Sequence, residues 1–559
     1  MDNVTIRQRV AQRAGERSSL ESIWKLVERF ISPYRTMFFS SKTSEASVDW
    51  RLRDLYDSTA IFANQNLAAS LDGSLTNSAI QWFHYTFKQP EAMGFVEVLQ
   101  WLEECNRITY QALQESNFSL ETNELYLDLT SFGVGGIGQE AVEHPNGSLD
   151  TFDFKTVPLD EFYFDQDHRG RVLNFYRNFY WTAQQILTKF GRDNIPVIIY
   201  DQAISGNKSN ERHEIIYAIY RREGQEFDEA DTFGILEPDA RPYGFKYFLK
   251  NSLEDLGEEG GFYEMPVYIP RWRKATGSVW GWSPSMTAIY DVLSLNQLVE
   301  LVFSAGEKAI DPAIMTTKRG VMGNIDLSAA GVTIVSDMKA MQAFESKARF
   351  DVSSLSKKEL QTAIDRAYFM DQLQLKESPA MTATEVHARI QLMQRLLGPT
   401  YGRLQSDYLD QLLGRTFKML YRYRELPPVP QIVQERGWEL DIDYLGPLAK
   451  AQRYGDAQAI ERVIGTATAM KETFPGITDN IDADEAIREL GEVSGAPAKI
   501  WKSKADVARV RKVRAEEIAQ QQELATAQQA GEAGQSIGKA GQELQLMQGG
   551  QGAEGEQVA

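Results

Sequence analysis

The side chains best able to do chemistry in this chain are scattered rather than gathered. Its five histidines, His84, His144, His168, His213 and His387, have no i, i+4 histidine partner and no cysteine neighbour, so the ligand set of a tetrahedral zinc site is not supplied. Asp165 and Asp167 could share a cation, but acidic turns are common and two carboxylates do not make a site. Gly133, Gly135, Gly136 and Gly138 have the density of a phosphate cradle without its following helix or its Gly-Lys-Ser/Thr ending; they predict a tight turn between strands. Gly534-Gln535-Ser536-Ile537-Gly538 spells the G-x-S-x-G nucleophile pattern. It stands in a low-complexity tail, where no strand-to-helix elbow would hold the serine. Cys105 is the only cysteine. It reads as a small core residue, and it excludes an intramolecular disulfide, which fits a reducing compartment. With 78 Asp and Glu in the chain, acid pairs are too frequent to mark acid–base chemistry. No catalytic residue, cofactor site or metal ligand follows, and the expectation is a protein that is not an enzyme and needs no cofactor.

The elements around these residues are more informative. At 559 residues, 43% hydrophobic and 25% charged, the chain has the length of several domains and the composition of a folded protein. Its charged start lacks the apolar core of a signal peptide, and its greasiest helix, Ala288 to Phe303, contains Asp291, Asn296 and Glu300, so a soluble intracellular product without a membrane span is expected. Helices are predicted from Ser18 to Pro33, from Leu52 to the break at Asp72-Gly73, and from Phe95 to Leu113. β-branched and aromatic runs follow: LYLDLTSFGVGGIGQEAVE, TFDFKTVPLDEFYFDQD, RVLNFYRNFYWT, HEIIYAIYRRE, YGFKYFLKN and MPVYIPRWRKA. They predict a mostly antiparallel sheet region interrupted by a helix at Ala183 to Phe190.

A helix starting near Pro284, with Ile289, Val292, Leu293, Asn296, Val299 and Phe303 on one face, ends at Asp311-Pro312. Next comes a short mixed segment with strand-like AIMTT and GVTIVSD around KRGVMGN. The longest periodic stretch runs from Met381 to Arg424. Thr382 and Glu385 form a capping box, and apolar residues recur in steps of three and four from Val386 to Leu412. That run would span about 60 Å as helix. Gly398-Pro399 interrupts it, because proline removes a backbone donor and restrains the residue before it; a kink is expected there. VPQIVQERGWELDIDYLGPLAK then alternates like a strand that returns to the earlier sheet. A helical end region and a Gln-, Ala- and Gly-rich tail, 520–559, finish the chain.

Three blocks carry a family resemblance. DSTA at 57–60, LAASLDGSLT at 67–76 and the Trp82-Phe83 pair resemble the N-terminal signature of the head-to-tail connecting (portal) proteins of short-tailed double-stranded DNA phages. Gly281, Ser283, Pro284, Asp291, Leu295 and Asn296 match the first stem helix of that family, although Trp280-Gly281-Trp282 stands where many relatives have Tyr-Gly-Arg. The TATEV segment resembles the start of the family's long kinked wing helix.

The resemblance implies an α+β portal-protein fold, predominantly helical, with a β-rich wing, helical stem, small mixed clip and helical C-terminal crown. Its divisions would be an N-terminal wing at 1–283, a first stem helix at 284–310, a clip at 311–355 and a second stem helix at 356–373. A tunnel loop at 374–382, a long kinked helix with returning strand at 383–446, a crown at 447–519 and a disordered tail at 520–559 complete it. The residues it singles out are Lys376, Glu377 and Ser378 for the tunnel loop, Gly398 and Pro399 for the kink, and Lys318, Arg319 and Asn324 at the clip tip facing terminase or adaptor. Arg509, Arg511, Lys512 and Arg514 form a crown basic patch. From the residues alone, the linker is equally a solvent-exposed turn, the patch is more often a solvated helix face than a DNA contact, and the brevity and flanking helices of 311–355 favour the clip over a plain surface excursion.

The function implied is a ring of twelve subunits at one capsid vertex that passes double-stranded DNA without reading its sequence. Its partners would be the terminase large subunit, a tail adaptor, and scaffold and major capsid proteins, with no membrane. It would assemble in the host cytoplasm and end in the virion. A formal charge of −19 argues against a basic nucleic-acid grip but suits a passage that must not hold phosphates. Two alternatives remain open at this point: another ring-forming virion or tail protein, and a cytosolic α+β enzyme.

Overall fold

The computed structural model describes residues 1–35, 54–222 apart from 207, 236–274, 277–310, 314–316, 341–343, 350–370, 397–444, 460–470, parts of 481–491, and 506–522. The architecture is α+β with antiparallel sheets. The chain divides into two units, one of Met1–Tyr85, Glu104–Pro427 and Ile442–Asp482, the other of Thr86–Glu103, Pro428–Asp441 and Ala483–Ala559.

The larger unit opens with α1 (Asn3–Phe30), whose N-cap Asp2 accepts from the amide of Thr5. The helix therefore begins some fifteen positions before the Ser18 start that the capping-box spacing suggests, and Ser18 instead donates its hydroxyl to the carbonyl of Gly15 within the helix. Then come α2 (Thr59–Leu75), β1 (Phe83–Phe87), α3 (Val96–Glu115) and α4 (Phe118–Phe132). The LYLDLTSF run, read as strand from its β-branched and aromatic content, is the second half of α4. Tertiary burial overrides local propensity there, since Leu125, Tyr126, Leu129 and Phe132 are fully buried. Gly133, at φ 83°, closes α4 in the left-handed region. The glycine group thus links a helix to strand β2 (Gly136–Glu143), not two strands.

Two sheets follow. In the three-stranded one, β2 lies between β3 (Leu149–Val157) and β9 (Val267–Tyr268). The five-stranded one is a meander of β4 (Phe162–Gln166), β5 (Val172–Thr182), β6 (Arg212–Arg221), β7 (Tyr243–Leu249) and β8 (Asp255–Phe262), with α5 (Ala183–Phe190) and α6 (Val197–Ile204) between β5 and β6. The glycine-rich β8 had no propensity signal. In β6 the residues Ile215 to Tyr220 are all buried, so both sheet faces are covered. With the two-residue period of a strand, Ile216, Ala218 and Tyr220 pack with Ile6 and Val10 of α1. Tyr217 on the opposite face stacks on Tyr247 at 4.2 Å.

The unit continues through α7 (Pro284–Ile310), a two-stranded pair of β10 (Ile314–Thr316) with β11 (Met341–Ala343), and α8 (Phe350–Ala367), which packs along α7. Residues 397–404 are helical, Gln405–Leu409 form a π-helical turn, and α9 (Asp410–Arg422) follows directly. After α9 the segment expected to be one strand splits into α10 (Gln431–Arg436) and β12 (Leu440–Tyr444). β12 pairs with β1 in a sheet of two rather than rejoining a wing sheet. α11 spans 460–470.

In the smaller unit, Phe87 and Phe95 each pack near Trp438, and Phe87 stacks on Trp101. Arg436 lies over the rings of Phe95 and Trp438, and α10 ends at Gly437 with φ 59°. A helix α12, 506–522, carries exposed side chains over nearly its whole length.

Candidate functional site

Signature residues of the DSTA and stem-helix blocks meet at the junction of α1, α2, α4, α7 and α8. Trp82 instead stacks on Phe118 and Tyr444, and the TATEV segment lies outside the described residues. Ser283 caps α7, its hydroxyl oxygen accepting from the amide of Met286 at 2.9 Å, and Pro284 follows at the first helical position, where its missing N–H is harmless. The Ser283 hydroxyl also donates to the carbonyl of Ser131, at the end of α4. Two residues on, Ser285 donates to the carbonyl of Thr130 at 2.8 Å and lies 2.7 Å from the hydroxyl of Tyr368, just past α8. Asn64 of α2 reaches Ser131 at 2.9 Å, and Ser131 contacts Ser32 at 2.6 Å. Every one of these groups is neutral and buried. A network closed on itself in this way fixes helix register without burying a charge.

Gly281 completes the junction by close approach. A Cβ there would overlap the carbonyl oxygen of Gly133, which accepts from the amide of Trp272 at 2.9 Å. Trp280 meets Trp24 of α1 edge to face at 5.5 Å, and the Trp24 indole donates to the carbonyl of Phe132.

Further along α7, Asn296 uses both ends of its amide on the segment before α2. Its oxygen accepts from the amide of Tyr56 at 2.7 Å and its nitrogen donates to the carbonyl of Asp54 at 2.8 Å. Asp57 of the DSTA block accepts from the amide of Thr59, and its carboxylate lies 3.9 Å from Lys357 and 3.4 Å from Gln361 of α8. Asp72 accepts from the hydroxyl of Thr76 at 2.7 Å. The matching motifs are therefore the joints of one helical assembly.

The chemically suggestive groups are satisfied elsewhere. Asp165 accepts from Arg13 at 2.7 Å, from the hydroxyl of Tyr176 at 2.9 Å and from Asn174 at 3.1 Å. Burial alone would raise its pKa, but these hydrogen bonds and the Arg13 charge hold it below the usual 3.8. Asp167 accepts from the Arg171 guanidinium at 3.0 Å. Burial pushes the Cys105 thiol up to about 12, far from an activated thiolate. Among the described residues no group of three or more His, Cys, Asp or Glu side chains could hold a metal ion.

A family model described as bacteriophage head to tail connecting protein matches residues 3–501. The chain belongs to that family. The connector is 25% identical over 541 residues to the portal protein of Salmonella phage epsilon15, a match covering 95% of this chain and 94% of the relative. It is 26% identical over 537 residues to the probable portal protein of Bordetella phage BPP-1, covering 94% and 93%. Among solved structures, a chain from the neck of an empty GTA particle, computed with C6 symmetry, aligns with 77% of this connector and 91% of its own length, at 10% identity and a TM-score of 0.34. As a phage head-to-tail connector the protein is a structural component of the virion.

The site residues expected from the resemblance are unevenly placed. Lys376, Glu377 and Ser378 of the linker, and Lys318, Arg319 and Asn324 of the small mixed segment, lie outside the described residues. Gly398 and Pro399 sit in the first described turn before α9, and the stretch preceding them also lies outside. The irregularity visible in the described helix comes six residues later, at the π turn Gln405–Leu409. There Asp407 pairs with the buried Arg271 at 3.2 Å, and Tyr408 meets the hydroxyl of Thr122 at 2.8 Å. Proline spacing could not reveal this turn, because its fixed points are partners more than a hundred positions away. Arg509, Arg511, Lys512 and Arg514 are exposed on α12, with Arg509 paired to Asp506 and Arg511 bound through both nitrogens to Asp484.

One helix among the described residues, α7 over Pro284–Glu307, is long and apolar enough to cross a membrane by length and composition. Its inward side is protein core: Met286, Ala288, Ile289, Val292 and Leu295 are buried, whereas Tyr290, Leu301, Phe303 and Ile310 are exposed.

Proposed function

We propose that this connector is the portal of a short-tailed double-stranded DNA phage, a closed ring of twelve copies at one capsid vertex through which DNA is packaged and ejected. The observation that carries the reading is the family match over residues 3–501, with portal-named relatives aligned over nearly the whole chain. In this reading α7 and α8 are the stem helices and 311–355 the clip between them. Residues 374–382 form the tunnel loop, with Lys376, Glu377 and Ser378 facing DNA. Residues 383–446 are the long helix, kinked at Gly398-Pro399, with its returning strand, and 447–519 are the crown. The clip tip, Lys318, Arg319 and Asn324, receives the terminase large subunit and later a tail adaptor. Scaffold and major capsid proteins meet the ring during procapsid assembly, which it nucleates. The work is mechanical and electrostatic, and phosphate-bond chemistry belongs to the docked motor.

The C-terminal end of α7 supports the ring. Beyond the buried Val299, Leu301, Phe303 and Ile310 are 59%, 62% and 88% exposed. Apolar residues concentrated on a joint-held helix are suited to a heterologous contact that repeats around an axis. Native mass measurement of the full chain should give one large closed oligomer. Leu301→Asp combined with Phe303→Asp should shift it to monomers and small open species with the thermal transition retained. A wild-type chain that stays monomeric at every concentration would remove the reading.

A further inference from the structure

Two helices of the larger unit turn uncharged faces outward, in a chain that is 25% charged. Along α7, Thr287, Tyr290, Ser294, Gln297 and Leu301 are exposed at steps of three and four, opposite the buried Ala288, Val292, Leu295 and Val299. Asp291 and Glu300 stand to either side of this stripe. Along α2, Phe62, Gln65, Asn66, Ala69 and Gly73 are exposed opposite the buried Asn64, Leu67, Ala68 and Leu71. Neighbouring helices instead expose ions: Arg107 and Glu115 on α3, and Lys358, Glu359 and Arg366 on α8.

The hydroxyls of the α7 face are already paired. Thr287 donates to the carbonyl of Ser283 at 3.1 Å and accepts from the Trp282 indole at 3.0 Å, and Ser294 donates to the carbonyl of Tyr290 at 2.8 Å. A partner can cover them without leaving a donor unmade. The same neutrality selects the partner. Two copies of formal charge −19 repel, and they approach most easily where neither presents a carboxylate. A nucleic acid would be gripped through cations, which these faces lack. Their hydroxyl and amide groups are equally unsuited to lipid. The α7 stripe also runs, through Leu301, into the exposed end that carries Phe303 and Ile310.

The two faces match in spacing and in bulk. Tyr290, Ser294, Gln297 and Leu301 step by four, three and four residues, and Gly73, Ala69, Asn66 and Phe62 take the same steps in reverse. Laid antiparallel, the layers are Tyr290 on Gly73, Ser294 on Ala69, Gln297 on Asn66 and Leu301 on Phe62. Large meets small, amide meets amide and apolar meets apolar, whereas a parallel arrangement would set Tyr290 against Phe62. The space above Gly73 is open. We propose that α7 of one copy packs antiparallel on α2 of the next, as the seam that repeats around the ring. A contact between two different faces is the kind that closes a cycle. The inference rests on the ring reading and adds which faces meet.

The test uses the full-length protein with Ser294→Cys and Ala69→Cys in one chain, oxidised by copper–phenanthroline and read on a non-reducing denaturing gel. A ladder of covalent multimers up to the full ring is expected, because facing small residues bring the two backbones within disulfide reach. Each single variant, and the parent with its buried Cys105, should run as monomer on the same gel. Ser294→Glu should raise the concentration for half-assembly about tenfold with the thermal transition retained, and Ser294→Ala should leave it unchanged. Native mass of the parent separates the two readings. A monomeric parent removes the ring and the seam together, whereas an assembled parent whose double variant gives no ladder overturns the seam alone. Covalent dimers from Ser294→Cys by itself would mean that α7 pairs with α7, and would overturn it too. A ladder confined to Gln297→Cys with Ala69→Cys would make the helices parallel and overturn the layer matching.

Discussion

Helix α1 is docked twice, and the two halves are held by different physics. Its C-terminal half enters the helical junction, where Trp24, Ser32 and their partners Phe132, Ser131 and Trp280 are neutral. Its N-terminal half crosses the five-stranded sheet on three arginines one turn apart. Arg9 and Arg13 reach Asp165 at 3.4 and 2.7 Å, and Arg17 donates to the carbonyls of Leu159 and Phe162 and to the hydroxyl of Tyr163. The neutral joint depends on close approach, and the serine, asparagine and tryptophan hydrogen bonds that close it carry no titrating group. The charged seam tolerates small displacements but depends on the ionisation of one carboxylate.

The sharpest way to break the neutral joint is Gly281→Ala. The new methyl would lie 1.9 Å from the Gly133 carbonyl oxygen and 2.8 Å from its carbon, so backbone must shift to admit it. A loss of about 3 kcal/mol or more is expected, larger than for ordinary core overpacking. Denaturant unfolding should show this loss to be nearly the same at pH 4 and pH 7. A variant as stable as the parent would mean that the two backbones separate easily, and that the junction is not the rigid point of the molecule.

The charged seam is tested by Asp165→Asn, with an effect of about 1.5–3 kcal/mol for hydrogen bonds to an ionised group. The sign with pH is fixed by the direction of the shift. Because the folded carboxylate titrates below 3.8, its contribution is fully present above that value and is lost as pH falls through the depressed folded value. The gap between parent and variant should therefore be widest near neutrality and close below about pH 4. A constant gap down to pH 2 would assign the effect to packing rather than to charge.

How much of this was legible in the chain follows from the same division. Helices with unbroken apolar spacing, such as α7 and α9, could be read directly, and so could strands β5 and β6, whose tyrosines and isoleucines crowd one run. The second half of α4 could not, because LYLDLTSF has a strand-like composition and becomes helix through burial of Tyr126 and Phe132 by distant elements. Strand β8 was invisible because Gly257, Gly260 and Gly261 carry no propensity signal; their missing side chains leave room for Phe190, Phe245 and the Pro238 carbonyl. The DSTA and Gly-x-Ser-Pro blocks identified the family without disclosing why those residue types are needed. Only the fold shows that Asp57, Ser283 and Asn296 are joints.

The smallest effect on stability, and the finest test of charge placement, concerns α12. Arg511 and Asp484 are 60% and 47% exposed, so their two short hydrogen bonds compete with water and salt. Arg511→Ala should change stability by no more than about 0.5 kcal/mol. Replacing Arg509, Arg511, Lys512 and Arg514 together by alanine sharpens the contrast with the buried seam, because it asks whether the patch is electrostatically available. Two of its four charges are already matched, by Asp506 and Asp484. If the patch touches duplex DNA with those pairs intact, only two phosphates are neutralised. The slope of log affinity against log salt should then become shallower by about 2 in the quadruple variant, at about 0.9 per contact. A change near 4 would show that DNA displaces both aspartates. An unchanged slope would make the patch a solvated helix face with no part in DNA passage.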